Sequence, residues 1–493
     1  MNQQDKPRAI IVGAGIGGLA AAIRLSVKGY QVTVFESGAA PGGKLAELQG
    51  AGFRFDAGPS LFTMPLYVDE LFTLAGKDPR AYFRYQKLEE ICRYFYEDGL
   101  RLTAWSDTEK LISEFSTKTA ATPEEVSRFL EKSKEIYDIT HRVFLERSLH
   151  KVSSYLHTDT FRSMARFGAI DAFRSQNEAN ESFFSDRRLV QLFNRYATYN
   201  GSNPYQAPAT LNVIPHFENH FGAYLPEGGM YSIVRALERL AGELGTTFYY
   251  NEPVNEILIV NKKAVGVVTA GGTHAAAVVV SNLDVWFTYR KLLRGIPAPE
   301  KLLAQQRSSS ALIFYWGINR RFETTGLHNI FFSADYRAEF DSIWKAQQVS
   351  ADPTIYLNIT SKMLPEDAPA GCENWFVMIN VPAANGQDWQ AIVRTARASM
   401  ISKLSRLLGT ELEPHIVYER VLDPLTIESR TGSFQGSLYG NSSNSRFSAF
   451  LRHPNFSRKI RNLYFCGGSV HPGGGIPLAL LSAKIAADCV QPH

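Results

Sequence analysis

The sequence predicts an α/β protein made of a Rossmann-like domain with a β-meander and an inserted α+β domain. Three features carry this prediction. A glycine-rich strand–turn–helix pattern opens the chain at residues 9–36, and a similar pattern closes it at residues 462–490. Two long segments, at 81–222 and 290–455, separate these patterns. At about 100–200 residues per domain, the 493 residues leave room for both domains.

Composition excludes several classes of protein. Apolar residues make up 45% of the chain and charged residues 20%, which is typical of a globular protein and not of a disordered or fibrous one. The chain carries 52 basic and 48 acidic residues, a net charge of +4. Because this balance is far too mild for a nucleic-acid-binding protein, we expect no nucleic-acid partner.

Cysteine usage and hydropathy bear on the location of the protein. The four cysteines are scattered and form no Cys-x-x-Cys pair, which favours a reducing compartment over a disulfide framework or a zinc site. No apolar run reaches the ~18 residues of a transmembrane helix. The stretch Ala9–Leu25 contains four glycines and Arg24, so we interpret it as folded structure and not as a signal peptide. These features predict a cytoplasmic chain.

The N-terminal pattern has the parts of a dinucleotide-binding unit. An apolar strand, Ala9–Val12, runs into a glycine-rich turn at residues 13–18. A helix with apolar residues four apart then extends to Lys28, and a second β-rich run follows at residues 31–35. A glycine-rich turn alone is weak evidence, but the ordered series of strand, glycines, helix and strand is specific.

Each residue type in this unit has a physical role. Gly13 allows the tight turn, Gly15 lets the backbone approach a pyrophosphate, and Gly18 lets the helix pack closely on the strand. The helix N-terminus offers free N–H groups to the phosphates. Glu36 lies where a carboxylate can accept hydrogen bonds from ribose hydroxyls, and its charge would repel the 2′-phosphate of NADP.

The residues after Glu36 distinguish FAD from NAD. Gly42 and Gly43 supply a second stretch of bare backbone, Lys44 adds a cation near the phosphates, and Gly58-Pro59-Ser60 follows. This arrangement resembles the flavoprotein pattern of the amine oxidase and phytoene desaturase superfamily, which implies FAD. A second glycine-rich nucleotide motif is absent downstream, which disfavours a layout with two nucleotide domains.

Two later regions complete the predicted cofactor domain. Three β-rich runs at 254–259, 264–268 and 277–282, separated by turn signals, predict a β-meander. In the superfamily, the residue that matches Val254 pairs its backbone with the adenine. Near the C-terminus, residues 462–477 form a strand that opens into glycines before a helix, whose dipole suits the negative charge of a reduced flavin.

The chain resembles, essentially end to end, the bacterial carotenoid desaturases of the phytoene-desaturase type. Four segments resemble the carotenoid 3,4-desaturases that act on acyclic, often 1-hydroxylated ends: residues 195–202, 436–440, 449–452 and 471–477. One departure concerns Gly467-Gly468, where many relatives carry Gly-Asp. Backbone N–H groups must therefore serve in place of a carboxylate near the ribityl chain.

The resemblance implies a reaction and a substrate. The expected enzyme introduces a C3–C4 double bond at an acyclic end, with or without a 1-hydroxyl group, of a C40 carotenoid such as γ-carotene or a lycopene derivative. The route would be hydride transfer to flavin N5 and loss of the neighbouring proton. Candidates for the proton step or for flavin tuning are His471, His216 and Glu218. Cys466 lies in a strand before glycines, which indicates a core residue and non-covalent FAD.

The predicted site and domains follow from these segments. No metal site is predicted. The FAD-binding domain comprises residues 1–80, 223–289 and 456–493, and the substrate domain comprises 81–222 and 290–455. The predicted FAD contacts are Gly13, Ala14, Gly15, Gly17, Gly18, Glu36, Ser37, Gly42, Gly43, Lys44, Gly58, Pro59, Ser60, Val254, Gly467, Gly468, Ser469, Gly475, Ile476 and Pro477.

The insertions suggest how an insoluble substrate is reached. Thr122-Pro123-Glu124-Glu125 is a helix start. The stretch from Arg142 to Arg174 mixes aromatic and aliphatic residues with six basic and three acidic ones. It is typical either of an interfacial helix or of an ordinary amphipathic helix over a core. Because the hydrocarbon must be collected from a bilayer, we expect peripheral contact with the inner face of the cell membrane. The apolar runs 308–316 and 375–379 predict buried strands that floor a tunnel or fill a sheet core.

Three alternatives stay open. A phytoene or other carotene desaturase, or an isomerase, would have the same cofactor motifs. A flavin amine oxidase would need an amine-recognition site that the sequence does not reveal. A non-catalytic lipid-binding protein resembling the Rab GDP-dissociation inhibitors would share the N-terminal fold, but Glu36 and the glycines Gly473–Gly475 argue for a working flavin site.

Overall fold

The computed structural model describes residues 6–157, 160, 163, 166–445 and 452–491. Two parts of the sequence predictions lie outside these residues. Phe161 and Met164 belong to the basic-aromatic stretch, and residues 449–451 belong to one of the segments that carry the resemblance.

The first domain is built on a five-stranded parallel sheet. Ile11, on the central strand, pairs with Val34 on one side and Val280 on the other. The strands Arg8–Val12 and Val278–Ser281 are almost entirely buried, as expected of parallel strands covered on both faces. The strand order is Thr247–Tyr249, Gln31–Phe35, Arg8–Val12, Val278–Ser281 and Leu463–Phe465.

Helices cover one face of this sheet. The helix Ile16–Val27 contacts both Tyr231–Glu243 and Ile476–Cys489, and Leu66–Leu74 packs beside them. They share one apolar core with the sheet. The two helices predicted to follow the first and the last glycine-rich segments are thus confirmed.

A three-stranded antiparallel meander packs against the other face through Ile257, Ala264 and Val267. Its strands are Glu256–Val260, Lys263–Thr269 and Gly272–Ala275. The prediction that residues 277–282 form its third strand is wrong, because Val278–Ser281 joins the parallel sheet. The unbroken run of valines suits a strand buried on both faces, whereas the third meander strand is mostly exposed.

The second domain contains a seven-stranded mixed sheet. Trp316 lies opposite Trp375 in the antiparallel pair formed by Ser310–Ile318 and Glu373–Val381, so the two predicted buried strands are confirmed and are neighbours. The strand order is Ile416–Leu422, Ser310–Ile318, Glu373–Val381, Ile355–Asn358, His328–Phe331, Glu90–Phe95 and Arg101–Trp105.

Helices surround this sheet and connect it to the first. Thr122 caps the helix Pro123–Thr140 as predicted: its hydroxyl accepts from the Glu125 N–H, and the Glu125 carboxylate accepts from the Thr122 N–H. In the described part of the chain, further α-helices are Thr108–Lys118, Gln176–Phe183, Arg187–Asn194, Ile214–His216, Val285–Phe287, Glu300–Leu303, Tyr336–Asp341, Trp389–Leu408 and Pro424–Thr431.

The stretch 142–174 does not form one long interfacial helix in its described residues. It contains a π-helical turn, His141–Leu145, and two 3-10 turns, Val152–Leu156 and Phe167–Ile170. Throughout the described part of the chain, no helix is both long and apolar enough to cross a membrane.

Two small sheets join the domains: Glu47–Gly50 with Phe53–Asp56, and Phe62–Thr63 with Ala223–Pro226 and Tyr85–Lys87. Arg54 reinforces this junction, because it donates to Asp56 at 2.6 Å and to Asp367 at 3.0 Å. The domain boundaries given above stay a prediction.

Candidate active site

A large cavity of about 1870 Å³ extends along the carboxyl ends of the parallel strands and into the second domain. All of the predicted FAD contacts line it except Ala14 and Gly18. The three glycine-rich segments, which are far apart in sequence, therefore converge on one space.

The N-terminal turn is shaped by close backbone contacts. A Cβ on Gly18 would lie 2.1 Å from the carbonyl oxygen of Gly13, so Gly18 allows the helix to pack on the turn without reaching the cavity itself. A Cβ on Gly15 or Gly17 would lie within 3 Å of the Asn282 side chain, at 2.7 and 2.9 Å. A side chain at either position would displace the Asn282 amide.

Asn282 is a site residue that the sequence reasoning missed. Its side-chain amide packs beneath the N-terminal turn and donates a 3.2 Å hydrogen bond to the carbonyl of Cys466. It therefore joins the first and third glycine-rich segments. The available signal was its position directly after the buried strand Val278–Ser281, at the edge of a parallel sheet where ligands bind.

Glu36 is held by backbone N–H groups. Its Oε2 accepts from the Ala14 N–H and its Oε1 from the Gly38 N–H, both at 2.7 Å. Ala14, although outside the cavity lining, thereby orients the carboxylate that faces the cavity.

The second segment packs directly on the first. The Gly42 N–H donates a 2.8 Å hydrogen bond to the Ala14 carbonyl. Lys44 lines the cavity, but its ammonium donates to the carbonyls of Leu438, at 2.6 Å, and Ser437, at 3.2 Å. Burial lowers the pKa of Lys44 to about 8, an effect that the charge of Asp284 opposes. The sequence did not indicate this engagement with the second domain.

The third segment presents a helix N-terminus to the cavity. The helix Ile476–Cys489 starts after Gly475 without a side-chain cap, and so does Ile16–Val27 after Gly15. A Cβ on Gly475 would meet no atom within 4 Å and would stand in open space at the cavity wall. Two uncapped helix starts and this bare backbone fit the pyrophosphate and ring system of FAD.

The remaining wall is largely apolar. Successive residues of the two long strands alternate between faces: Ile313, Phe376 and Met378 line the cavity, while Phe314 and Val377 belong to the core behind the sheet. The two interpretations of these strands, tunnel floor and sheet core, are thus both correct, one for each face.

The predicted catalytic candidates separate into two groups. His471 and Glu218 line the cavity, whereas His216 does not. His216 instead stacks on His220 and packs against Tyr137, and burial lowers its pKa to about 4. His471 donates from Nε2 to the Arg147 carbonyl at 2.8 Å, and burial lowers its pKa to about 3, so its imidazole is neutral at neutral pH.

Glu218 belongs to a buried polar cluster whose other charged member, Arg195, was not recognised as a site residue from the sequence. Tyr196 donates to Glu218 at 2.7 Å, and Tyr199 donates to its other oxygen. Arg195 donates to the hydroxyls of Tyr199, at 3.1 Å, and Tyr94, at 3.2 Å. Burial and the charge of Glu218 raise the pKa of Tyr196 well above its usual value, so its hydroxyl stays protonated.

Comparison with known proteins identifies the family. A family model described as flavin containing amine oxidoreductase matches residues 16–491. The chain belongs to this family. It is accordingly an FAD-binding oxidoreductase, in agreement with the converging glycine segments.

Individual relatives of this family member span its whole length. It is 49% identical over 487 residues to a 1-hydroxycarotenoid 3,4-desaturase from Flavobacterium sp. (strain P99-3), covering 98% of this chain and 99% of the relative. It is 37% identical over 498 residues to a 4,4′-diapolycopene oxygenase from Methylomonas sp, covering 99% of each. The solved structure of an oxidoreductase from Methanosarcina mazei superimposes with a TM-score of 0.64 at 16% identity, covering 98% and 100% of the two chains. That likeness shows the shared fold, as predicted.

The cysteines of this flavoprotein are all free thiols. Cys466 does not lie in the strand as expected but directly after Leu463–Phe465, which ends one residue earlier; it is buried, and burial raises its pKa to about 12. The thiol is therefore protonated at neutral pH.

Proposed function

We propose that this flavoprotein is a carotenoid desaturase that forms a C3–C4 double bond at an acyclic end of a carotene such as γ-carotene or a lycopene derivative. The observation that carries the proposal is the continuity of one cavity from the glycine-lined half to an apolar half. The names of the two relatives above, both of which concern carotenoids, support the substrate class.

In this proposal, the chain holds FAD through the three glycine segments. The start of the helix Ile16–Val27 binds the pyrophosphate, Glu36 accepts from ribose hydroxyls, and the backbone at Val254 pairs with the adenine. The start of Ile476–Cys489 faces the isoalloxazine. When bound there, FAD supplies an acceptor for a hydride from a C–H bond. The protonated, buried thiol of Cys466 supports non-covalent binding.

The apolar wall positions the polyene and excludes water. Ile313, Phe376 and Met378 project from rigid strands of the second sheet, which suits the precise placement that hydride loss requires. The positive charge left on the substrate is spread along its conjugated double bonds. Loss of the neighbouring proton therefore needs no strong base, and the neutral, weakly basic His471 is compatible with this chemistry.

The decisive experiment offers several substrates to the purified, FAD-loaded protein in lipid. We expect γ-carotene and lycopene derivatives to lose two hydrogens at C3–C4, as identified by chromatography and mass spectrometry. Turnover of phytoene alone would identify a phytoene desaturase. A change of double-bond geometry without loss of hydrogen would identify an isomerase. Turnover of an amine such as putrescine, or of nothing, would overturn the proposal in favour of an amine oxidase or a lipid-binding protein.

We also propose that the segment 142–174 contacts membrane lipid. Val152 and Leu156 on one of its short turns are 80% and 73% exposed, and Phe173 is 66% exposed. The same segment contributes Phe144 and Ile170 to the cavity lining. A segment that presents apolar side chains both to solvent and to the cavity offers a route by which a substrate insoluble in water enters from a bilayer. Contact with the inner face of the cell membrane remains part of this proposal.

A further inference from the structure

Two oppositely charged side chains are buried in the apolar wall of the cavity. Glu218 is 1% exposed and Arg195 is 6% exposed, and both line the cavity. Among the described residues they form no direct ion pair. The Tyr199 hydroxyl lies between them, accepting from Arg195 at 3.1 Å and donating to Glu218. Burying two charges at a hydrocarbon-lined surface is costly, so this arrangement calls for a ligand that uses them.

The cluster has hydrogen-bonding capacity left over. A carboxylate has about four acceptor sites, and Glu218 uses two of them, for Tyr196 and Tyr199. Arg195 donates from Nη1 and Nη2 to tyrosines, while its Nε has no partner in the described part of the chain. The cluster can therefore still accept one hydrogen bond and donate another, which is what a hydroxyl group requires.

We propose that Glu218, Arg195 and Tyr199 bind the hydroxyl of a carotenoid hydroxylated at C1, so that the enzyme selects a hydroxylated end over a hydrocarbon end. This inference rests on the function proposed above. The substrate hydroxyl donates to Glu218 and accepts from Arg195, while Tyr199 holds these two side chains in place. A hydrocarbon end would leave the remaining acceptor sites of Glu218 and the Nε–H of Arg195 without partners.

The place of the cluster in the fold agrees with the chemistry. In such a substrate only C2 separates the hydroxylated carbon from the C3–C4 bond, so the hydroxyl site must adjoin the reacting carbons. The 3-10 helix Arg195–Asn200 ends at Gly201, where a Cβ would lie 2.9 Å from the Tyr439 ring. Tyr439 in turn packs on Gly474, where a Cβ would lie 2.7 Å from the Tyr439 Cα. Tyr439 therefore connects the end of the 3-10 helix that carries Arg195 and Tyr199 to the third glycine segment.

The test compares binding of two ligands to the FAD-loaded protein: a 1-hydroxylated carotene and the same carotene without the hydroxyl. Dissociation constants come from quenching of flavin fluorescence. We expect the wild type to bind the hydroxylated ligand about 10- to 100-fold more tightly, the range of a hydrogen bond to a charged group. Glu218→Gln replaces a charged acceptor by a neutral one, and Tyr199→Phe removes the hydroxyl that orients Glu218 and Arg195. Both variants should therefore lower this ratio about threefold or more without weakening hydrocarbon binding. Tyr205→Phe changes a half-buried tyrosine outside the cavity lining; it is the matched control and should keep the wild-type ratio.

Three results would overturn the inference: equal affinities in the wild type, an unchanged ratio in both variants, or a ratio lost equally in Tyr205→Phe. Flavin content and thermal unfolding show whether each variant is folded. If Glu218→Gln does not fold, Tyr199→Phe still tests the inference. Product analysis separates the two proposals. Equal C3–C4 desaturation of both ligands would refute hydroxyl selection but leave the proposed reaction intact. Preferential binding of the hydroxylated ligand without C3–C4 desaturation would refute the proposed reaction.

Discussion

The backbone N–H of Ala14 donates a 2.7 Å hydrogen bond to Oε2 of Glu36. This bond joins the glycine-rich turn to the end of the second parallel strand. The Gly38 N–H donates to the other oxygen at 2.7 Å. The Ser37 hydroxyl also donates to Oε1, at 3.2 Å. Oε2 keeps one lone pair, so the carboxylate is oriented by the protein and remains able to accept from a ribose hydroxyl.

This relationship predicts that substitution of Glu36 reduces FAD binding. Glu36→Gln places an NH₂ group against an N–H donor and should weaken FAD affinity about 10-fold or more. Glu36→Arg should leave the purified protein without flavin. The measurement is the ratio of flavin to protein absorbance after gel filtration. Glu411→Arg, an exposed acid outside the cavity lining, should retain flavin. A normal flavin ratio in Glu36→Arg would refute the ribose assignment.

Gly475 and Gly245 form a matched pair for testing the third segment. Their φ angles are +102° and +88°, and in both a Cβ would meet no atom within 4 Å, but only Gly475 lines the cavity. Alanine at either position should cost about 1–3 kcal/mol in backbone strain. Gly475→Ala alone should also lose FAD affinity, because its methyl group enters the space proposed for the cofactor.

Thermal unfolding of the flavin-free proteins and FAD titration separate these two effects. We expect both variants to lose the same amount of stability. Only Gly475→Ala should also lose FAD binding. Normal FAD binding by Gly475→Ala would remove this helix start from the proposed cofactor site.

Local signals explain which parts of the fold could be predicted. Gly18 and the Thr122–Glu125 capping box act through neighbours within a few residues, so their patterns are visible in the sequence. Arg195 acts through Tyr94, about a hundred positions away, and Asn282 acts through Cys466. Such partners meet only when distant segments of the same domain fold together. The misplaced third meander strand has a similar cause, because a short valine-rich run suits either sheet until its neighbours are known.

His216 predicts a pH dependence of stability. Burial, reinforced by the charge of His220, lowers its pKa to about 4 in the folded protein, against about 6.5 when unfolded. Between these pH values the unfolded chain binds a proton at His216 and the folded protein does not. The free energy of unfolding therefore falls as the pH drops from about 6.5 to 4. The loss is about 1.4 kcal/mol per pH unit in this window.

His216→Phe removes this titration while keeping a ring in the stack with Tyr137 and His220. Relative to the wild type, we expect little change in the free energy of unfolding at pH 8 and a gain of about 1 kcal/mol at pH 5.5. Urea unfolding at the two pH values measures the difference. The same wild-type-to-variant difference at both pH values would contradict the assigned burial effect.

Val152 and Leu156 test the proposed membrane contact. Insertion of these exposed side chains into lipid should contribute about 1.5–3 kcal/mol each, and a carboxylate in their place would have to be desolvated. The double variant Val152→Glu and Leu156→Glu should therefore bind liposomes at least 10-fold more weakly in a sedimentation assay while retaining its flavin. Val260→Glu changes a residue that is 54% exposed on the meander, remote in sequence from this segment, and should sediment like the wild type. Added negative charge alone would weaken the binding of both variants to anionic liposomes, so the comparison uses neutral phosphatidylcholine. Equal sedimentation of the double variant and the wild type would refute docking through this segment.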